Sequence, residues 1–220
     1  MNILLPYATA LFLGAMHAFE ADHLAAVTSF AVRRPSGRAA MSYGVRWAFG
    51  HGLVVIVVGT ALSLLRISVA PNAGAWLDRI VGVALFGLGI WTWISASAMH
   101  AHQHIHADGT THLHLHSHLA RTQHDHDHAR AATAMGLLHG LAGSVPIFVL
   151  LPVTRFNSTP LAFGYLMLFA IGTAASMALY AMFAGVVAGR AAITSAKLAR
   201  ILIRVTSVAT CIIGLIWVVR

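Results

Sequence analysis

Charge is what this sequence has least of: Asp, Glu, Lys and Arg make up 9% of its 220 residues, against about 25% in soluble domains. With 58% hydrophobic residues and a mean hydropathy of +0.77, that scarcity excludes a soluble domain, a disordered chain and a coiled coil, and points to an integral membrane protein. Cysteine is nearly absent too, and a lone Cys211 rules out an intramolecular disulfide and a thiolate metal cage. No Gly-x-x-x-x-Gly-Lys-[Ser/Thr] loop occurs, so the chain carries no ATP engine of that kind. Acidic residues number six against fourteen basic ones, a net charge of +8. The cations lie between apolar runs, where they report membrane orientation, and no nucleic-acid partner is expected. Histidine, by contrast, occurs fifteen times.

Apolar stretches of about 20 residues predict six spans, at 5–30, 42–65, 79–99, 131–152, 160–188 and 199–219. The first lacks a basic n-region and outlasts the usual signal-peptide core, so it is expected to be retained as a span. Breakers mark the short connections, as in Arg33-Arg34-Pro35-Ser36-Gly37 and Asn157-Ser158-Thr159-Pro160. Arg33, Arg34, Arg38, Arg121, Arg130, Arg190, Lys197 and Arg200 fall on one side, which the positive-inside rule makes cytoplasmic. Both termini are then non-cytoplasmic.

An offset of 122 residues, which carries His17 onto His139, also aligns Ala10 with Ala132, Gly14 with Gly136, Tyr43 with Tyr165, Ala48 with Ala170 and Gly50 with Gly172. Three spans per copy give the copies opposite orientation. The expected fold is therefore an all-α integral membrane protein, six transmembrane helices as two inverted three-helix repeats. Residues 1–99 form the first repeat, 100–130 a His-rich cytoplasmic loop and 131–220 the second repeat. Small-residue pairs in the fifth span, Gly172 with Ser176 and Gly185 with Gly189, read as helix-packing positions.

The first span contains His17, Glu20, Asp22 and His23. An Asp near a span centre costs about 2.5–3.5 kcal/mol on insertion scales, so such residues face a cavity or a partner. His17, Glu20 and His23 are three apart and share a stripe of about 120°, whereas Asp22 lies about 140° from His17 on an ideal helix. Either the helix unwinds here, or Asp22 orients a ligating imidazole from behind. Imidazole with carboxylate suits Ni(II), Co(II), Zn(II) and Cu(II) and disfavours Cu(I).

His17-Ala-Phe-Glu-Ala-Asp22-His23-Leu resembles the His-x-x-x-x-Asp-His signature of the nickel/cobalt transporter (NiCoT) family and its shorter UreH-like, urease accessory relatives. Gly50-His51-Gly-Leu-Val-Val resembles that family's second motif, and Gly140-Leu-Ala-Gly143-Ser144 the Gly-rich opening of the second half in the UreH-like group. Glu20 stands where classical members have Asp, and those members have eight spans. The resemblance implies transport of nickel(II), with cobalt(II) as a further candidate, as uptake by a secondary carrier or facilitator in the plasma (inner) membrane. It makes His51 a ligand, where an isolated histidine would more often be structural. His139, the repeat mate of His17, is expected to approach one asymmetric site from the fourth span together with Ser144, and Pro146 to loosen the backbone there. The metal set is thus His17, Glu20, Asp22, His23, His51 and His139. A cytoplasmic metallochaperone is a candidate partner, and no resident cofactor is expected.

Between the repeats, His100, His102, His104, His106, His112, His114, His116, His118, His124, His126 and His128 form a metal-collecting tract with Asp108, Asp125 and Asp127. Its neutral imidazoles lose capacity below about pH 6.5. Other function classes remain open from sequence. The same metals could be exported. A membrane acyltransferase would use His17 and Asp22 as a general-base pair. A sensor or store would need only the tract.

Overall fold

Two of the predicted spans are interrupted helices. In the computed structural model, which describes residues 4–33, 36–66, 73–97, 99–105, 111–117, 125–140, 142–143 and 149–220, the first apolar run forms α1 (Leu4–His17) and α2 (Ala21–Ala31), separated by a turn. The run 131–152 is likewise not one helix: α5 (Asp125–His139) stops at its histidine, and a single short turn, α6 (Leu151–Thr154), lies on the far side of the gap. Among the described residues, four helices are long and apolar enough to cross a membrane by themselves. These are α3 (Gly37–Leu65), the Gly74–Ala96 stretch of α4 (Ala73–Ser97), α7 (Thr159–Thr194) and α8 (Ala196–Val219). They start up to six residues before the predicted spans because the flanking Gly and Ser-led turns continue the helix. The all-α expectation also needs an addition, since Met99–Ile105 (β1) and Thr111–Ser117 (β2) pair as an antiparallel hairpin.

The breaks follow from local hydrogen bonding. At the end of α1 the bonds tighten from the α to the 3₁₀ pattern, with Phe19 N–H donating to the Met16 carbonyl and Glu20 N–H to the His17 carbonyl, both at 3.0 Å. Glu20 then takes an extended conformation (ψ 145°) and acts as N-cap of α2. The second break repeats the first: Ala142 N–H donates to the His139 carbonyl at 3.2 Å. Its next residue, Gly143, has φ +70° and donates its N–H to Asp78 Oδ1 at 2.9 Å. Only glycine holds that backbone without strain.

Packing is built on small residues. α3 lies against α7, α4 against α8, α1 against α7 and α5 against α3. A Cβ at Gly14 would overlap the Phe169 carbonyl oxygen, and one at Gly136 the Trp47 carbonyl oxygen. A Cβ at Gly50 would overlap the Thr133 carbonyl, and one at Gly172 the Leu11 carbonyl. In each couple the second contact is the first displaced by the same 122 residues in both partners. Gly185 meets Ala40, as its small-residue motif predicts. Outside this core, Leu4, Phe12, Phe49, Trp76, Val83, Phe183, Val205 and Leu215 are among many large apolar side chains left exposed. An apolar exterior of this extent suits contact with a lipid bilayer, and the chain is a membrane protein.

Gly14→Ala and Gly136→Ala should each destabilise the protein by about 1–3 kcal/mol, because a methyl group there must push two backbones apart. Gly87→Ala, whose Cβ meets nothing within 4 Å, should stay within about 1 kcal/mol of the parent. Thermal unfolding in detergent, compared across the three variants, measures the difference.

Candidate metal centre

Three helices deliver three imidazoles to one point. His17 is the last residue of α1, His23 sits in the first turn of α2 and His51 lies midway along α3. The break between α1 and α2 is what lets His17 and His23 turn toward each other. Their Nε2 atoms are 3.0 Å apart, and His17 Nε2 is 3.2 Å from His51 Nε2. His23 and His51 are fully buried and His17 is 4% exposed. Trp47 stacks on His51 at 5.1 Å and meets His23 edge-on at 4.8 Å, while Phe169 covers His17 at 5.3 Å. These two aromatics, which sequence reasoning did not pick out, stand 122 residues apart and wall the group from both sides. Only their equal offset hinted at a paired role.

Carboxylates behind the rings fix which nitrogen carries the proton. His17 Nδ1 donates to Glu20 Oε1 at 2.9 Å, so a neutral His17 turns an accepting Nε2 toward His23 and His51. Asp22 Oδ2 lies 2.9 Å from His23 Nδ1, close but out of line for a hydrogen bond. A carboxylate oxygen at that distance tolerates an N–H and repels a second lone pair, so a His23 that bound a cation through Nε2 would keep its proton on Nδ1. The two Nε2 atoms lie at hydrogen-bond distance, 3.0 Å. Without metal the rings share one proton across that contact, and a cation in its place would take both nitrogens as ligands. With metal–nitrogen bonds of about 2.0–2.1 Å, ligand nitrogens at right angles stand about 2.9 Å apart and tetrahedral ones about 3.4 Å. The observed 3.0 and 3.2 Å lie between those limits.

The six residues proposed from sequence do not make one ligand shell. His17, His23 and His51 form one group, and Asp22, His23 and His139 another, the ligand atoms within each lying within 4.8 Å of one another. Glu20, expected among the ligands, instead orients His17 from behind and is partly exposed. The helix unwinds as one of the two sequence alternatives required, and Asp22 stands behind the His23 ring, as the other placed it, without a hydrogen bond to it. His139 is fully buried, its Nδ1 donating to the Met135 carbonyl at 2.8 Å and its Nε2 lying 3.7 Å from Asp22 Oδ2. Thr173, the offset mate of His51, donates to the Gly14 carbonyl at 3.0 Å instead of ligating. Ser144 and Pro146 lie outside the described residues, as do His106, His118 and His124.

In the histidine tract the hairpin register sets His100 opposite His116, His102 opposite His114 and His104 opposite His112. The tract is thus not wholly irregular, and His126 and His128 belong to the start of α5. Alternation of histidine with other residues along both strands is what produces the three facing pairs.

No protein-family model, curated protein or solved structure matches this chain.

Glu20→Ala should weaken metal binding by 10–100-fold, the usual effect of deleting a group that orients a ligating imidazole. Glu20→Gln keeps an oxygen that accepts from His17 Nδ1 and should lose less. Equilibrium titration with Ni(II), on protein whose tract histidines have been replaced, separates the two variants.

Proposed function

We propose that this protein carries divalent transition-metal ions across a membrane, nickel(II) first and cobalt(II) as a further substrate, through the His17/His23/His51 group. The observation that carries this reading is the convergence of three buried imidazoles, two of them backed by carboxylates, whose ligand atoms lie within 4.8 Å of one another inside the helix bundle. Imidazole nitrogen without thiolate suits Ni(II) and Co(II), and the likeness of the His17–His23 segment and Gly50-His51 to NiCoT and UreH-like motifs points the same way.

The proposed architecture is six crossings in two inverted three-helix repeats. α1 with α2, and α5 with the segment reaching α6, each supply one interrupted crossing; α1 alone, 14 residues at about 1.5 Å each, is too short for a hydrocarbon core of about 30 Å. Support comes from the paired glycine contacts at the shared offset and from the matching breaks after His17 and His139. Interrupted helices at the repeat interface are where carriers of this plan hold their ions. In this arrangement the protein spans the plasma membrane with both termini outside, and residues 100–130 collect metal on the cytoplasmic side, where a metallochaperone would receive it. Uptake is the proposed direction, since a dication entering at negative potential gains about 4.6 kcal/mol per 100 mV. An acyltransferase would need Asp22 to orient His17, but Glu20 holds that ring and Asp22 lies on His23.

Nickel flux into proteoliposomes tests the proposal. His17→Ala, His23→Ala and His51→Ala should each reduce initial flux by at least tenfold while the protein still assembles in the membrane. Near-parental flux in correctly inserted His17 and His23 variants rejects the site. Replacing residues 100–128 by a flexible linker should leave the nickel-to-cobalt preference unchanged, because discrimination needs fixed geometry. In cells lacking nickel carriers, lower cell-associated nickel and raised resistance with the linker variant would establish export instead.

A further inference from the structure

The second group, Asp22, His23 and His139, has no task in the carrier reading so far. Its polar atoms are badly provided for. Asp22 Oδ1 and Oδ2, His23 Nδ1 and His139 Nε2 are all buried without a hydrogen-bond partner among the described residues. Each such atom costs about 1–3 kcal/mol. The bond from His139 Nδ1 to the Met135 carbonyl fixes the proton on Nδ1, so a neutral His139 turns a bare Nε2 toward Asp22 Oδ2, 3.7 Å away. Lone pair and carboxylate repel each other in a site screened by Trp47, whose ring stands 5.6 Å from that of His139. A cation between them removes the repulsion and satisfies the unpartnered atoms together.

We propose that Asp22, His23 and His139 form a second divalent-cation position, and that one ion occupies either it or the His17/His23/His51 position, with His23 as the ligand common to both. This rests on the carrier reading and extends it. A neutral imidazole has one lone pair. With the ion at the first position, His23 coordinates through Nε2 and keeps its proton on Nδ1, facing Asp22. With the ion at the second, it coordinates through Nδ1 beside Asp22 and His139, and its proton sits on Nε2, where it donates to His17 Nε2 at 3.0 Å. The ring carries one proton in both states, so no net proton is gained or lost. The first position belongs to α1, α2 and α3, and the second brings in α5, so an ion moving between them passes from one half of the chain to the other.

The test uses the full chain with the eleven tract histidines replaced by asparagine, titrated with Ni(II) in lipid nanodiscs and examined by X-ray absorption. The parent, His17→Ala/His51→Ala and His139→Ala should each bind one ion, and the triple variant none. Imidazole should dominate the ligand shell in His139→Ala, and carboxylate oxygen should appear in His17→Ala/His51→Ala. Adding Asp22→Asn to that double variant should weaken binding a further 10–100-fold. The volume-conserving His17→Gln/His51→Gln pair is read in the same way if the alanine pair assembles poorly. Absence of metal from both double variants, while the parent and His139→Ala bind, overturns the second position. Complete loss of binding in His139→Ala alone overturns it too, since all four histidines would then serve one site. A well-assembled parent that binds no ion removes the carrier site itself, an outcome distinct from the other two.

Discussion

A carboxylate with no exposure, Asp22, is the constraint around which this molecule is arranged. An isolated ion in an apolar interior is far costlier than any single packing contact. Asp22 therefore needs positive or hydrogen-bearing neighbours, and the nearest are imidazoles from two elements, His23 on α2 and His139 on α5. His17, on α1, could not meet His23 along an uninterrupted α1–α2 rod. The turn at Ala18–Glu20, capped by Glu20 and tightened into 3₁₀ bonds, re-aims α2 so that Asp22 points toward α5 and His23 back toward His17. Glycines at 14 and 136 then let α7 and α3 close on the two broken segments, which keeps the group out of contact with lipid.

Much of this was legible because polar residues in an apolar run are costly enough to be conspicuous. His17, Glu20, Asp22 and His23 stand out in any hydropathy reading, and helix geometry already showed that one straight helix cannot aim all four at one ion. The equal offset that aligned His17 with His139 is matched by equal backbone bonds, Glu20 to His17 and Ala142 to His139. Role assignment was the illegible part. Whether Glu20 ligates or supports depends on which ring nitrogen of His17 it meets, a rotamer-level fact no spacing encodes. The side from which His139 approaches was hidden for a similar reason: sequence places it near the break but does not show it beside Asp22, with Trp47 next to it. The hairpin in the histidine tract was missed because its alternation was read as ligand density; alternation is also the strand period.

The two halves share a frame and differ in chemistry. Equivalent glycines meet equivalent carbonyls, yet His51 is answered by Thr173, and the acidic pair by Ala142 and Ser144. Thr173 uses its hydroxyl to hold the Gly14 carbonyl, so the second half contributes scaffold where the first contributes ligands. His139 is the exception, among the described residues the one metal-ligating side chain of the second half brought into the centre. A site assembled mainly from one half while bounded by both changes shape when the halves move against each other, which is what alternating access requires of a carrier.

Charge balance argues for a dication as the proposed cargo. Two carboxylates stand behind the imidazoles, Glu20 at His17 and Asp22 at His23, and each is one bond removed from the point where the Nε2 atoms meet. Ionised, they supply two negative charges; the rings, as neutral ligands, supply none. A divalent ion brings this assembly to zero net charge, whereas a monovalent ion leaves it at minus one and a trivalent ion at plus one. In a low-dielectric interior an uncompensated unit charge costs several kcal/mol even after relaxation, so in the proposed carrier the carboxylates would select for valence from behind the ligands. Selection among divalent ions falls to the imidazoles, whose nitrogen donors favour late transition metals over Mg(II) and Ca(II). The division of labour also accounts for the asymmetry in exposure: Asp22, shared by two histidines, is sealed, while Glu20, serving one, keeps an exposed edge. That edge lies beside Gly143, so the break in one half touches the carboxylate that tunes the ligand of the other.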